Sequence, residues 1–174
     1  MYNPIELQFE DTMEKILENL VGDILHTRGL KLVAAESCTG GLIGSRITDV
    51  AGSSEYFLGS VVAYAYEVKV KLLDVSWDTL NNHGAVSRET VLEMARGAQR
   101  HIGGDIAIAV SGIAGPGGGT PEKPVGTTWI GLVAKDGEWA KEFHFSGNRE
   151  QNKSSAADAA LQMLLDYLQG ILKE

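Results

Sequence analysis

The fold of this chain is decided by residues 32–41, which read LVAAESCTGG. The apolar run Leu32–Ala35 is typical of a short strand that is buried on both faces. It leads directly into Ser37 and a Thr-Gly-Gly turn, and apolar residues at helical spacing follow from Leu42. This strand–turn–helix sequence indicates an α/β protein, in which ligands bind at the carboxyl ends of the parallel strands.

Helices and strands alternate along the rest of the chain. We expect further strands over Gly59–Tyr64, Asp105–Ser111, about 126–134 and about 138–145, and helices from near Asp11, after Thr39, from Glu67 with a break at 81–84, after the capping residue Ser87, and over about 156–168. The order α-β-α-β-α-α-β-β-β-α predicts a three-layer α/β/α sandwich. Its sheet is expected to be mixed and mostly parallel, with about five strands.

The composition is that of a globular protein. Of 174 residues, 44% are hydrophobic and 22% are charged. We expect one domain over residues 12–174 and an N-terminal extension over residues 1–11, where Pro4 delays helix formation. The net charge of −8 argues against a general binder of nucleic acid or anionic membranes, which needs a basic face. The net charge does not exclude a small phosphorylated substrate, because a few local cations are enough to bind one.

Cys38 is the sole cysteine of the sequence, so neither an intrachain disulfide nor a cysteine-based metal site is expected. Residues 1–11 lack the pattern of a signal peptide, and no apolar stretch approaches the length of a membrane span. A cytoplasmic protein is therefore the expectation. Apolar surface on the outer helices is compatible with a homodimer or a higher homo-oligomer.

Two strand ends carry polar residues that precede glycine-rich turns. Glu36 and Ser37 follow the first strand, and Ser111 ends the Asp105 strand. Parallel pairing would bring both turns to one edge of the sheet, together with Tyr64 at the end of the second strand. The helix after Thr39 would point its N-terminus at the same cleft and offer free N–H donors to a phosphate or an oxyanion.

Each of these features also has a plainer interpretation. Ser37 by itself reads as a helix N-cap or turn residue. A nucleophilic serine needs a base, and no histidine has an obvious route to Ser37 in the sequence. Lys69 is the better candidate because desolvation can lower the pKa of a lysine, yet in isolation it reads as a solvated helix lysine. Cys38 is a stronger nucleophile by chemistry, but single cysteines more often fill a buried space.

The glycine-rich segment after Ser111 is ambiguous as well. Residues 115–120 read GPGGGT and lack the Gly-Lys-Ser/Thr ending of a phosphate-binding P-loop. The spacing fits a ligand loop and a tight structural turn about equally. No cluster of histidine, aspartate and glutamate occurs at the spacing of metal ligands, so no metal is expected.

Three motifs occur in a fixed order: AESCTGG at 35–41, Tyr64 with EVK at 67–69, and SGIAGPGGGTPEKPVGT at 111–127. Together they resemble the CinA C-terminal domain family, and the resemblance runs from about residue 12 to 170. The best-known activity of that family is nicotinamide-nucleotide amidase. The chain resembles the stand-alone form, without the extra N-terminal nucleotide-processing domain.

The resemblance implies an amidohydrolase of pyridine nucleotide salvage that converts nicotinamide mononucleotide and water to nicotinate mononucleotide and ammonia. Ser37 matches the nucleophile, Lys69 its base, and Tyr64 a tyrosine that orients or relays. Backbone N–H groups near the two glycine turns would hold the oxyanion, and neither cofactor nor metal is needed. The substrate-binding residues expected are Glu36, Thr39, Gly40, Gly41, Ser111, Gly112, Gly115, Gly117, Gly118, Thr120 and, for the phosphate, Arg149.

The chain departs from the family pattern at a few positions. It has Ala65-Tyr66 where the family often has Ser-Asn, and Asn148 and Lys153 where the family usually has Asp and Arg. These changes bear on substrate fit and leave the nucleophile assignment untouched. Two alternatives stay open: a non-catalytic, competence-linked module that binds a nucleotide or a partner, and an amidase for another pyridine or nucleotide amide.

Overall fold

A five-stranded sheet runs through the centre of the protein in a computed structural model that describes residues 17–173. The strands are β1 (Leu32–Glu36), β2 (Phe57–Val62), β3 (Ile106–Gly112), β4 (Thr127–Ala134) and β5 (Gly137–His144). The helices are α1 (17–28), α2 (Leu42–Thr48), α3 (Tyr66–Leu73), α4 (Trp77–His83), α5 (Arg88–Ile102) and α6 (Arg149–Leu168), with a 3₁₀ turn at Ser53–Glu55. The predicted extension over residues 1–11 and the expected helix start near Asp11 lie outside the described residues.

The strand order is β2-β1-β3-β4-β5. β1 pairs in parallel with both β2 and β3, whereas β4 is antiparallel to β3 and to β5. Glu36 lies opposite Val62 on one side and Val110 on the other, so the carboxyl ends of three parallel strands are level at one edge. The predicted fold class is confirmed.

Two apolar layers cover the sheet. Leu32 and Ala34 pack with α1, α2 and α6 on one face, and Val33 and Ala35 pack with α3, α4 and α5 on the other. Alternate residues of a strand point to opposite faces, which is why β1 is buried along its whole length. No helix among residues 17–173 is both long enough and apolar enough to cross a membrane.

The structure differs from the expected elements between the second strand and α5. β2 ends at Val62, so Tyr64 lies two residues beyond it, and the expected single helix from Glu67 is divided into α3 and α4. Asp74 ends α3 in the left-handed region with φ of 53°. Ser76 then begins α4 by accepting a hydrogen bond from the Thr79 N–H at 3.0 Å, as an N-cap does.

Close packing fixes the position of α3. Gly97 of α5 lies against the end of α3, where a Cβ atom would overlap the backbone carbonyl of Leu73. The absence of a side chain lets the two helices approach at the level of their backbones. Lys69 lies one turn before Leu73 on α3, so this contact also sets the position of the lysine.

A buried ion pair fixes α2 from the other layer. Arg46 is 8% exposed and pairs with Glu18 of α1 and Asp158 of α6. Buried arginines of this kind depend on good geometry, because each charge loses its water on folding. The contact joins α1, α2 and α6, and α2 directly follows the turn that contains Ser37.

Candidate active site

Ser37 and Lys69 form a buried pair at the carboxyl edge of the sheet. Ser37 follows β1 directly and is 8% exposed, and its N–H donates to the Val110 carbonyl of β3 at 2.9 Å. Lys69 is 1% exposed, and its Nζ donates to Oγ of Ser37 at 2.9 Å. The serine–lysine contact predicted from the sequence is therefore present.

The environment of Lys69 makes it easier for the ammonium group to lose its proton. Its Nζ also donates to the carbonyl oxygens of Ala63 at 2.6 Å and Tyr64 at 3.3 Å. Burial lowers the pKa of Lys69 to about 8, because the ammonium form loses solvation in the interior. The interpretation of Lys69 as a solvated helix lysine is wrong, whereas Lys71 is exposed as expected.

Glu36, rather than Ser37, occupies the N-terminus of α2. Glu36 is 0% exposed. Its carboxylate accepts five hydrogen bonds, from the N–H groups of Gly41, Ile43 and Gly44 and the hydroxyls of Thr39 and Ser60, at 2.7 to 3.1 Å. The N-cap of α2 is Gly41, without a side-chain bond. The interpretation of Ser37 as a helix cap is therefore wrong, and so is the expectation that these N–H groups bind a phosphate.

Several polar groups of the Ser37 turn that were expected to contact the substrate instead form hydrogen bonds within the turn. Glu36 and the 1% exposed Thr39 bond to each other at 2.7 Å, so neither presents a free polar group to a substrate. The Gly40 N–H donates to the Ser37 carbonyl, and the Gly41 N–H donates to Glu36. Gly40 and Gly41 have φ of 64° and 98°, so they shape the turn and do not supply oxyanion donors.

Cys38 is a core residue. It is 5% exposed and belongs to the apolar layer formed with α1, α2 and α6. Burial raises the pKa of its thiol to about 11, a stronger effect than that of the nearby N–H groups and of Lys69 in the opposite direction. Because the thiolate is the nucleophilic form, the structure supports the interpretation of Cys38 as a buried filler.

The segment from Ile113 to Gly126, named here the glycine loop, begins where β3 ends. Two backbone hydrogen bonds close the base of the loop. The Ile113 N–H donates to the Thr127 carbonyl, and the Gly126 N–H donates to the Ile113 carbonyl. Ser111 precedes the loop, is 1% exposed and pairs with Trp129 of β4. Gly112 ends β3 and is half-buried.

The tip of the glycine loop offers free backbone donors. Gly117, Gly118 and Thr120 are exposed, while Gly115 is buried. The N–H groups of Gly117 and Gly118 make no hydrogen bond within residues 17–173. The hydroxyl of Thr120 instead accepts from the Lys123 N–H at 3.1 Å, inside the loop.

Arg149 joins the glycine loop to Tyr64. One guanidinium nitrogen donates to the Gly115 carbonyl at 2.6 Å and another donates to the Tyr64 hydroxyl at 2.8 Å. Arg149 is exposed and has five N–H donors in all, so some remain for a ligand. Tyr64 thus meets Lys69 through its carbonyl and Arg149 through its hydroxyl, and its 59% exposed ring is open to solvent.

The sequence interpretation missed Asn152 and gave no role to Lys153. Asn152 is 2% exposed, donates to the Ala114 carbonyl at 3.1 Å and accepts from the Gly147 N–H at 2.9 Å. It therefore fixes the glycine loop against α6. The one available signal was the Asn148–Gln151 capping box, which marks the helix start without naming this contact.

A cleft of about 490 Å³ opens between α2 and the start of α6. Lys153 points into this region, since its Nζ is 3.7 Å from where a Cβ of Gly40 would lie. The cleft therefore adjoins the Ser37 turn and contains two cations and one carboxylate. Its lining residues are Leu42, Arg149, Glu150, Lys153 and Ser154.

The histidines lie apart from Ser37. Each of the four pairs with a surface carboxylate, as His26–Glu55, His83–Glu89, His101–Asp74 and His144–Glu142. Ser37 has Lys69 as its side-chain partner among residues 17–173. The same residues hold no group of three histidine, cysteine, aspartate or glutamate side chains placed to bind a metal.

Known proteins are similar to this chain in sequence and in fold. A CinA-like protein of Chlorobaculum tepidum is 50% identical over 159 residues, which cover 88% of this chain and 38% of that protein. The chain thus spans about 38% of the length of the curated relatives that it matches first.

Solved structures match over nearly their whole length. The competence damage-inducible protein A of Klebsiella pneumoniae superposes with a TM-score of 0.87 at 36% identity, covering 90% of this chain and 97% of the other. The competence/damage inducible protein CihA of Agrobacterium tumefaciens gives 0.86 at 38% identity, covering 90% and 95%.

The sequence profile of the CinA C-terminal domain matches residues 14–168. That range contains the Ser37 turn, Lys69, the glycine loop and Arg149. The chain belongs to the CinA C-terminal domain family.

Proposed function

We propose that this protein is an amidohydrolase that converts nicotinamide mononucleotide and water to nicotinate mononucleotide and ammonia. The observation that carries the proposal is the buried contact between Lys69 Nζ and Ser37 Oγ at 2.9 Å. A general base must lie within hydrogen-bond reach of the proton that it removes and be neutral near the working pH. Lys69 lies within this reach, and its lowered pKa of about 8 makes about one tenth of the side chain neutral at pH 7.

In the proposed mechanism, neutral Lys69 takes the hydroxyl proton as Ser37 attacks the carboxamide carbon. The oxyanion forms near the glycine loop, where the N–H groups of Gly117 and Gly118 are free. Lys69 then returns its proton to the leaving nitrogen, and ammonia departs from the acyl-enzyme. Water, deprotonated by Lys69, attacks the ester carbon, and Lys69 returns that proton to Oγ of Ser37 as nicotinate mononucleotide is released. The pyridinium ring withdraws electrons from the amide and assists the attack.

The charge distribution supports a phosphorylated substrate despite the acidic chain. Arg149 and Lys153 line the cleft beside the Ser37 turn, and arginine is well suited to bind phosphate oxygens. We propose that Arg149 binds the phosphate of the nucleotide while Gly112 and the tip of the glycine loop contact its remainder, since Ser111 is buried. The amidase domain proposed here spans residues 12–174 and acts in the cytoplasm.

The direct test is ammonia release from nicotinamide mononucleotide, with nicotinate mononucleotide followed by chromatography. Ser37→Ala is the negative control, and Ser45→Ala, at an exposed position on α2, is the matched serine control that should keep full activity. Acid quenching during turnover should show an acyl group on Ser37 by mass spectrometry. Ammonia release no greater than that of Ser37→Ala would refute the proposal.

Two alternatives give different outcomes in the same experiment. A non-catalytic module would be stabilised against heat by the nucleotide without any turnover. An amidase for a different substrate would act on another member of a panel that contains nicotinamide, nicotinamide riboside and the dinucleotide. Preference for the mononucleotide over the riboside would support the phosphate role of Arg149.

A further inference from the structure

The glycine loop is also held from the side opposite α6. Nζ of Lys123, near the end of the loop, donates to the carbonyl oxygens of His83 and Val86, both at 2.7 Å. These two residues belong to the segment 83–87 between α4 and α5, named here the 83–87 turn. A lysine whose ammonium is shared between two backbone carbonyls acts as a tether rather than as a solvated charge.

The 83–87 turn is shaped to receive this ammonium. Gly84 has φ of 77°, and a Cβ there would lie 3.6 Å from Nζ of Lys123. The hydroxyls of Ser87 and Thr90 donate to the Gly84 carbonyl at 3.0 and 2.7 Å. Lys123 binds the carbonyls of His83 and Val86 instead. His83 is the last residue of α4, where exposed carbonyls favour a cation.

The same turn contacts the helix that carries the base. Tyr66, the first residue of α3, accepts a hydrogen bond from the Ala85 N–H at 3.3 Å. The 83–87 turn therefore connects the glycine loop to α3 and Lys69. On the opposite side of the site, Arg149 makes the corresponding connection between Gly115 and Tyr64.

We propose that Lys123 is a positioning residue that fixes the glycine loop for substrate binding. The proposal rests on the amidase function above and adds a second anchor for the loop. Three consecutive glycines, 117–119, give the tip many accessible conformations in the absence of restraints. With Arg149 and Asn152 holding one end and Lys123 the other, the free N–H groups at the tip are preorganised, so that less ordering is needed when the ligand binds.

The test compares Lys123→Met, Lys123→Arg and the exposed-lysine control Lys71→Met. In Lys123→Met, ¹⁵N relaxation should show larger fast motion at the amides of Gly117 and Gly118. kcat/KM for nicotinamide mononucleotide should fall about tenfold, the loss expected for hydrogen bonds from a charged donor. Lys123→Arg keeps a long cationic donor and should restore both the loop motion and kcat/KM, and Lys71→Met should match the wild type. Lys123→Gln, which retains one donor group, replaces the methionine variant if that variant fails to fold.

Two outcomes would overturn the proposal. One is unchanged loop motion in Lys123→Met, and the other is a kcat/KM of that variant within about twofold of the wild-type value. The relaxation measurement needs no substrate, so it decides the role of Lys123 even if the wild-type protein releases no ammonia. In that case the amidase assignment alone fails, while the tether is supported by increased motion and refuted by its absence.

Discussion

Nζ of Lys69 lies 2.9 Å from Oγ of Ser37, in a site where the lysine is 1% exposed. The pair joins α3 to the residue that follows β1, 32 positions apart in the sequence. Burial holds the pKa of Lys69 at about 8 rather than near its usual 10.5.

Activity should rise with pH through the pKa of Lys69. The base acts when neutral, and its neutral fraction increases about tenfold per pH unit below its pKa. We therefore expect kcat/KM to increase with a slope near one below about pH 8 and to level off above it. Steady-state rates between pH 6 and 10 measure this directly. A rate independent of pH from 6 to 8 would show that Lys69 does not act as the titrating base.

Replacing the lysine should separate its role from that of its neighbour. Lys69→Ala should lower kcat by about 10² to 10⁴, the usual contribution of a general base, whereas Lys71→Ala should keep wild-type rates because Lys71 is exposed. Circular dichroism of both variants controls for folding. Equal losses in the two variants would indicate a general effect of positive charge or of α3 stability.

Cys38→Ala should remain active. The thiol is buried with a pKa of about 11, so almost no thiolate exists at neutral pH. Removing the sulfur leaves a small cavity, with an expected loss of stability of about 1 kcal/mol. An inactive but folded Cys38→Ala would make the cysteine the nucleophile instead of Ser37.

Glu36→Gln should destabilise the protein and disorder the Ser37 turn. The glutamine amide would place N–H donors against groups that already donate, and it would lose charge-assisted bonds to the start of α2. We expect a decrease in the free energy of unfolding of about 3 kcal/mol, measured in urea. Ser60→Ala, which removes one of the five bonds, should cost about 1 kcal/mol. Equal effects of the two substitutions would contradict the role of Glu36 as the centre of this network.

Tyr64→Phe should affect substrate binding more than chemistry. The Tyr64 hydroxyl bonds to Arg149, while Lys69 is contacted by the backbone carbonyl, which the substitution preserves. We expect KM to rise about three- to tenfold from the loss of one hydrogen bond and kcat to change little. A large drop in kcat at constant KM would restore the proton-relay role that the sequence left open for this tyrosine.

Much of the fold follows from local patterns. The apolar run before Ser37 identified a buried strand because only a strand covered on both faces lacks polar alternation. The two strands expected at about 126–134 and about 138–145 form the hairpin of β4 and β5. The break between α3 and α4 was missed, because a left-handed aspartate leaves no mark in the hydrophobic spacing.

The candidate site could likewise be predicted only in part. The family motifs located Ser37, Lys69, the glycine loop and Arg149, and the serine–lysine contact is present. Glu36 and Thr39, which were expected to contact the substrate, are instead buried and bonded to each other. Nothing in the order of residues reveals that a buried carboxylate accepts bonds from Ser60 of β2 and from the start of α2 at once.

The sequence by itself determined the fold class, the family and the residues at the sheet edge, since these depend on local periodicity and on long motifs. Tertiary structure alone decided which polar groups remain free. Glu36 occupies the start of α2, the Tyr64 hydroxyl meets Arg149, and Lys123 bonds to the 83–87 turn. Hydrogen bonds and desolvation act through space, so the basicity of Lys69 depends on what surrounds it and not on what precedes it in the chain.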